Sequence, residues 1–289
     1  PFGAVKDRVA SNLIADGEAR RTVQTDQLLV EPTSGNTGMG LAMIANAKGY
    51  SLTTPLSTAI PLEKRTMLRF FGAEVLELED TLCPAPGAPE GAIATAMEIA
   101  ERPGFHMLNQ YTNEANPEAH YKTTGPEIWR QTDGTITHFV AGLGTCGTIT
   151  GTGRYLKGQS PAVEVLGVHP AEGHDIPGVR SLRQLQQTQL FRPDEYTRLI
   201  EVSNQDAFEL CLRLNREESI IAGPSSGMAL AGAFELVPDE LGNVVVVIFP
   251  DSAFKYASSV VKYLPGLVNI EAKPAVPPNA LLDRMRENV

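Results

Sequence analysis

The sequence predicts an α/β protein, with mainly parallel sheets flanked by helices. Three observations carry that expectation. Short apolar runs alternate with helix-period segments along most of the 289 residues, as in strings of βαβ units. Two polar, glycine-bearing turns, at 31–38 and 142–148, each follow an apolar run and open a helical one. Hydrophobic residues make up 42% of the chain, enough for one large core or two medium ones.

The elements follow in order. From 5 to 19, Val9, Ala10, Leu13 and Ile14 fall on one side of a helix. Lys6 stands in its first turn, at the positive end of the helix dipole, where the charged amine is disfavoured. A neutral amine is what an imine-forming lysine needs. Leu28-Leu29-Val30 reads as a strand, 39–48 as a helix and Gly49 as its C-cap. Between them runs Glu31-Pro32-Thr33-Ser34-Gly35-Asn36-Thr37-Gly38. Free N–H groups at a helix start favour an anion, glycines let backbone approach a ligand, and four side chains add donors. Such a loop is built to grip a carboxylate or a phosphate.

Further on, 51–54 reads as a strand, 61–71 as a helix that starts on proline and stops at Gly72, and 74–78 as a strand. Residues 82–90 carry Pro84, Pro86 and Pro89 and read as a surface loop. A helix at 91–102 and a strand at 106–109 lead to the polar stretch 110–117, read as a crossing between two domains, 1–113 and 114–289. Strands at 136–141 and 163–168 flank a helix at 148–156. Helices at 203–216 and 226–236 precede a buried strand at 243–249 and a helix from about 252. The tail, with Pro265, Pro274, Pro277 and Pro278, is expected to cross the surface before a short last helix.

The second turn reads Gly142-Leu143-Gly144-Thr145-Cys146-Gly147-Thr148 and contains the dinucleotide spacing G-x-G-x-x-G. The nearest acid for a ribose, Glu172, stands beyond His169 and Pro170, and Thr145 and Thr148 suit a simple phosphate cup better. A net charge of −10 argues against nucleic acid or anionic membrane as partners. Cys83, Cys146 and Cys211 are odd in number and widely spaced, which suits a reducing, cytoplasmic setting and gives no metal or disulfide pattern. The five histidines lack zinc-like spacing, and no apolar run is long enough for a bilayer. The chain opens on Pro1 rather than methionine, so a missing amino end is expected.

Taken together, several stretches resemble the cysteine synthase family of fold-type II pyridoxal-phosphate enzymes. They are 1–8, Pro32-Thr-Ser-Gly-Asn-Thr-Gly38, Thr124-Gly-Pro-Glu-Ile-Trp129, Gly144-Thr-Cys-Gly-Thr-Ile-Thr-Gly151, Gly223-Pro-Ser-Ser-Gly227 and Pro250-Asp-Ser252. Gly125 to Gln131 and Ile176-Pro-Gly-Val-Arg180 are most similar to cysteine synthase B. The resemblance covers the chain from Pro1 to about Leu264 and implies a two-domain, tryptophan synthase β-like fold with the cofactor between domains. A few dozen amino-terminal residues of that family's pattern are absent.

The resemblance implies roles. Lys6 would carry pyridoxal 5'-phosphate covalently and move protons. Asn36 would meet the cofactor's 3′-oxygen, and Gly144, Thr145, Cys146, Gly147 and Thr148 its phosphate. Ser252 would meet the pyridine nitrogen, or cap the helix that starts there. Thr33, Ser34, Gly35, Thr37 and Gln110 would hold an α-carboxylate, with Gly178 over the mouth of the site. Arg180 would face a second anion there. Cys146, at a helix start, is expected to have a lowered pKa and to be oxidant-sensitive.

The implied activity is β-replacement on O-acetyl-L-serine by sulfide, or thiosulfate, to give L-cysteine. An O-phosphoserine-using synthase, a cystathionine β-synthase and a catalytically dead amino-acid-sensing or partner-binding homologue stay open. A homodimer is implied. The resemblance also admits a complex with serine acetyltransferase, for which no residue here argues.

Overall fold

The protein was analysed as a computed structural model, which describes residues 3–58, 60–79, 91–186 and 188–267. The expected surface loop at 82–90, and the tail beyond 267 with its last helix, lie outside the described residues. In chain order the first half runs α1 (Lys6–Ala19), β1 (Leu28–Val30), α2 (Asn36–Lys48), β2 (Ser51–Ser57), α3 (Leu62–Phe70), β3 (Glu74–Leu78), α4 (Gly91–Ala100) and β4 (Phe105–Met107). Two helices follow, α5 (Ala115–Lys122) and α6 (Thr124–Gln131). The rest runs β5 (His138–Gly142), α7 (Gly147–Gln159), β6 (Glu164–Pro170), α8 (Leu182–Leu185), β7 (Arg198–Val202), α9 (Asn204–Glu217), α10 (Pro224–Leu236), β8 (Val245–Val247) and α11 (Ala257–Tyr263).

Among the described residues the strands form two four-stranded sheets, ordered β3-β2-β1-β4 and β7-β6-β5-β8, and every pairing is parallel. Parallel sheets need both faces covered. In the first sheet Leu29, Leu52 and Leu56 pack into a core with α1 and α2, while Val30 packs on the other side with Ala96 and Ile99 of α4. The second sheet splits in the same way. Phe139, Ala141 and Val165 join Ile149 and Leu156 of α7, and Val140, Leu166 and Val168 join Phe208 of α9 and Met228 of α10. Successive residues thus face opposite cores, which is why these strands read as unbroken apolar runs.

Local chemistry explains most boundaries. Gly49 ends α2 in the left-handed conformation, φ 81°, its N–H returning to Ala45 and Asn46 carbonyls. α2 begins at Asn36, three residues earlier than its apolar period suggests, so the last three residues of the polar turn belong to the helix's first turn. β2 continues through Pro55. Thr53 faces β1, since its carbonyl accepts the Glu31 N–H at 3.1 Å. Pro55 therefore faces the same side beyond the end of β1, where a missing N–H costs no ladder bond.

Several elements differ from expectation. α5, α6 and β7 were not anticipated. The residues 108–114 link the sheets, and α5 starts inside the stretch read as a crossing. β8 is shorter than 243–249 and is not buried: it pairs only with β5, at the sheet edge, and Val245 is 38% exposed. α5 touches both the helix that bears Lys6 and the helix of the second glycine turn. Asn12 Nδ2 donates to the Ala115 carbonyl at 2.6 Å, and a Cβ at Gly151 of α7 would lie 1.9 Å from the Pro117 carbonyl oxygen. Among the described residues no helix is long and apolar enough to cross a membrane.

Candidate active site

The carboxyl ends of both sheets open onto one cavity of about 520 Å³, the usual place for a ligand in α/β proteins. Its walls come from the β1–α2 turn, the exit of β4, the β5–α7 turn, the loop after β6 and the exit of β8.

Lys6 reaches it because of its position in α1. Residues 6, 9, 10, 13, 14 and 17 form one helical stripe, and all but Lys6 are buried core positions. The Val5 N–H donates to the Pro250 carbonyl at 2.8 Å, fixing the start of α1 against the β8 exit. The Lys6 amine lies 3.3 Å from the Thr145 hydroxyl oxygen. Burial lowers its pKa from 10.5 to about 8, with Cys146 pulling weakly the other way. The expected direction holds, and burial is its main cause.

The β1–α2 turn is held from behind. Thr33 Oγ1 accepts the Gly38 N–H at 3.1 Å, closing the turn on itself. The Thr37 hydroxyl donates to Gln110 Oε1 at 2.7 Å, tying the turn to the exit of β4. The first N–H groups of α2 have no partner within the helix. Thr33, Ser34, Gly35, Asn36, Thr37 and Gln110 all line the cavity.

The β5–α7 turn is shaped by missing side chains. A Cβ at Gly147 would sit 1.9 Å from Asn116 Oδ1, and one at Gly144 would sit 2.5 Å from the Gly178 carbonyl. Cys146 holds φ 67° before α7, a conformation glycine adopts more readily. Thr145 Oγ1 accepts from Asn116 Nδ2 at 2.9 Å as well as from Lys6. Thr148 shares a hydrogen bond with buried His120 at 3.2 Å. Among the described residues Asn116 Oδ1 is buried without a partner. A tight glycine-bearing turn, with two threonines at the start of a thirteen-residue helix, fits a phosphate. A buried amine at its edge fits the aldehyde of pyridoxal phosphate.

Not every expected residue arrives in the form expected. Cys146 lines the cavity, but burial pushes its thiol up to about 12, against the pull of Tyr196, Lys6 and Arg180. The reactive thiolate expected from its helix-start position is therefore corrected: the buried site favours the neutral thiol. Ser252 is not among the cavity walls. Its hydroxyl caps a 3-10 helix at Ala253–Lys255 by accepting the Phe254 N–H at 3.3 Å. Asp251, one residue earlier, lines the cavity in its place. Asp251 Oδ2 accepts from Asn36 Nδ2 at 2.6 Å and from the Tyr256 hydroxyl, and Lys255 Nζ donates to Asn36 Oδ1 at 3.0 Å. Burial lowers the pKa of Lys255 and of Lys64, both on the same wall, while Asp251 raises it.

Gly178, at φ 80°, and Arg180 lie where the loop after β6 covers the cavity. The Arg180 N–H donates to the Leu143 carbonyl at 2.8 Å, and its guanidinium stands 4.8 Å from the Tyr111 ring centre. Sequence reasoning missed Asp251, Lys255, Lys64, Asn116 and Glu31. Glu31 is wholly buried at the root of the first turn. Burial raises its pKa to about 7, although the Gln110 and Asn109 N–H groups pull it down.

Comparison with known proteins agrees with this geometry. The family model described as pyridoxal-phosphate dependent enzyme matches residues 1–251. Cysteine synthase B of Salmonella typhimurium is 40% identical over 259 residues, covering 90% of this chain and 84% of that protein. Cysteine synthase of Staphylococcus aureus is 37% identical over 268 residues, 90% and 85% of the two chains. The crystal structure of O-acetyl serine sulfhydrylase isoform 3 from Entamoeba histolytica superposes with a TM-score of 0.82 at 29% identity, covering 91% of this chain and 80% of that one. The chain belongs to the pyridoxal-phosphate-dependent enzymes of fold-type II, and within them to the cysteine synthase family.

Proposed function

We propose that this protein joins a sulfur nucleophile to the β-carbon of O-acetyl-L-serine to make L-cysteine, with sulfide as the default nucleophile. The observation that carries the reading is one buried amine, Lys6, sharing a cavity with an anion-gripping turn and a phosphate-shaped one. When bound, pyridoxal phosphate supplies an electron sink conjugated to the substrate's α-carbon. Gly144, Thr145, Cys146, Gly147 and Thr148 would hold its phosphate, and Lys6 would hold its aldehyde carbon.

The chain's own residues do the rest. Thr33, Ser34, Gly35, Thr37 and Gln110 bind the substrate carboxylate and fix the α-carbon near Lys6. Burial favours the neutral form of the Lys6 amine, which places a base beside the α-carbon to take its proton. Acetate leaves from the β-carbon, the nucleophile adds there, and Lys6 returns the proton to the α-carbon. Residues 1–113 close on the bound carboxylate and exclude water from the reacting carbons.

Arg180 favours a second substrate pair. Its guanidinium, steadied on Tyr111 at the cavity mouth, can fork onto a second anion such as thiosulfate or the phosphate of O-phosphoserine. The test is a donor-by-nucleophile activity matrix on purified yellow holoenzyme. Cysteine formed from O-acetylserine and sulfide, with a colour change on adding O-acetylserine, is the expected result; no cysteine from any pair would end this reading. Arg180→Ala should cut kcat/KM about ten- to a hundredfold for thiosulfate or O-phosphoserine, and much less for O-acetylserine with sulfide. Equal losses for all pairs would remove Arg180 from second-anion binding.

A further inference from the structure

Glu31 stands where β1 ends and the substrate turn begins, and it is fully buried. Its backbone N–H continues the ladder toward β2, donating to the Thr53 carbonyl at 3.1 Å. Its side chain reaches the other way, to the exit of β4. Oε2 accepts the Asn109 N–H at 2.7 Å and Oε1 accepts the Gln110 N–H at 3.0 Å.

Asn109 holds φ 55°, which turns the chain out of the sheet at that point. Two successive N–H groups then converge on one spot, a backbone cradle for an anion. Here the acceptor is the chain's own carboxyl group. Gln110 is thereby held at four points: its N–H and its side chain by Glu31, its carbonyl by Asn116 Nδ2 at 2.7 Å, and its side-chain oxygen by Thr37 at 2.7 Å. A buried carboxylate is a poor way to stabilise a core, because an apolar side chain of similar size avoids the desolvation cost. It is a good way to fix two backbone N–H groups that have left their strand.

We propose that Glu31 is a positioning residue for substrate binding. It holds the Asn109–Gln110 backbone across the ends of two adjacent strands, and so sets the Gln110 side chain against Thr37. This rests on the reading, made above, that Gln110 and Thr37 contact the substrate's carboxylate.

The test uses three variants of the holoenzyme: Glu31→Gln, Gln110→Ala and the double variant. Glutamine keeps the shape but turns an NH₂ toward one of the two N–H donors. Glu31→Gln should raise KM for O-acetylserine about tenfold and change kcat less than about twofold, the signature of lost ground-state binding. Its cofactor absorption should be intact. In the Gln110→Ala background the same change should add less than about twofold, because Glu31 acts through Gln110. An unchanged KM in Glu31→Gln, or the same fold-loss in both backgrounds, overturns the proposal. If Gln110→Ala alone leaves KM unchanged, the carboxylate reading fails and takes this proposal with it. Should Glu31→Gln not fold, Glu31→Asp, too short to span both N–H groups, is read by the same criteria.

Discussion

The two polar turns share a plan, strand then turn then helix, and differ in what shapes them. The β1–α2 turn is held by side-chain hydrogen bonds: Thr33 to Gly38, Thr37 to Gln110, and Asn36 to Asp251. The β5–α7 turn also makes side-chain bonds, Thr145 with Asn116 and Thr148 with His120, but it is further tightened by Gly144 and Gly147, where any Cβ would overlap the Gly178 carbonyl or Asn116. Hydrogen bonds can be exchanged for a ligand's, whereas close packing tolerates little movement. The difference matches the division of labour proposed above, in which one turn releases a substrate every cycle and the other keeps its phosphate.

Lys6 serves both turns, so its loss should have the largest effect. Lys6→Ala should lower kcat by about a thousandfold or more and abolish the visible absorption of the cofactor–lysine linkage. Full β-replacement activity in that variant would remove Lys6 from the chemistry. Next come substitutions that separate the turns. Gly147→Ala forces a methyl into Asn116 and should destabilise the protein by about 1–3 kcal/mol while reducing retained cofactor. Thr37→Val should instead leave cofactor content alone and raise KM for the amino acid about tenfold. Cofactor loss in both variants, or in neither, would erase the distinction between the turns.

A smaller effect concerns pH. The folded-state pKa of Lys6 lies near 8, below its ordinary 10.5. Between those values the unfolded chain binds more protons than the folded one, so stability before cofactor loading rises with pH across that window. What is gained above 10.5 is lost as pH falls through 8. Cofactor loading, which needs the neutral amine, should accelerate through a midpoint near 8, followed by stopped-flow absorbance; a midpoint near 10.5 would mean the amine is not desolvated. The smallest change is expected for Cys146→Gly. Relief of the left-handed conformation, worth about 1 kcal/mol, is offset by lost burial of a similar size, so the melting midpoint should barely move. Maleimide should label Cys146 slowly, since burial keeps the thiol protonated.

What the sequence disclosed was local. The β1–α2 turn, Gly49 as cap and the second glycine turn are each written within a dozen consecutive residues. Lys6 was legible because it stands in the first turn of a helix, where the dipole disfavours its charge, and because the opening 1–8 resembles the family's lysine segment. α5 and α6 were not, since Pro117, Gly125 and Pro126 break their period and their packing surface is α7. Ser252 was legible as a helix cap, since a helix starts there, whereas Asp251 carried no signal because its partners, Asn36 and Tyr256, meet it only in the fold. Cys146 failed for a related reason. A helix start lowers a thiol's pKa, but burial is set by residues far away in the chain and outweighs it. Asn116 and Glu31 carry no signal of their own; each matters through partners 29 and 78 residues distant.

The bond from the Val5 N–H to the Pro250 carbonyl has a consequence for synthesis. The lysine helix leaves the ribosome long before the wall it leans on, because most of this sequence separates Val5 from Pro250. At roughly 5–20 residues per second, the amine waits on the order of ten seconds to a minute for its pocket. Until then Lys6 is an ordinary solvated amine with an ordinary affinity for aldehydes. Chains stalled before Pro250 should therefore stay colourless at a pyridoxal phosphate concentration that turns the finished protein yellow.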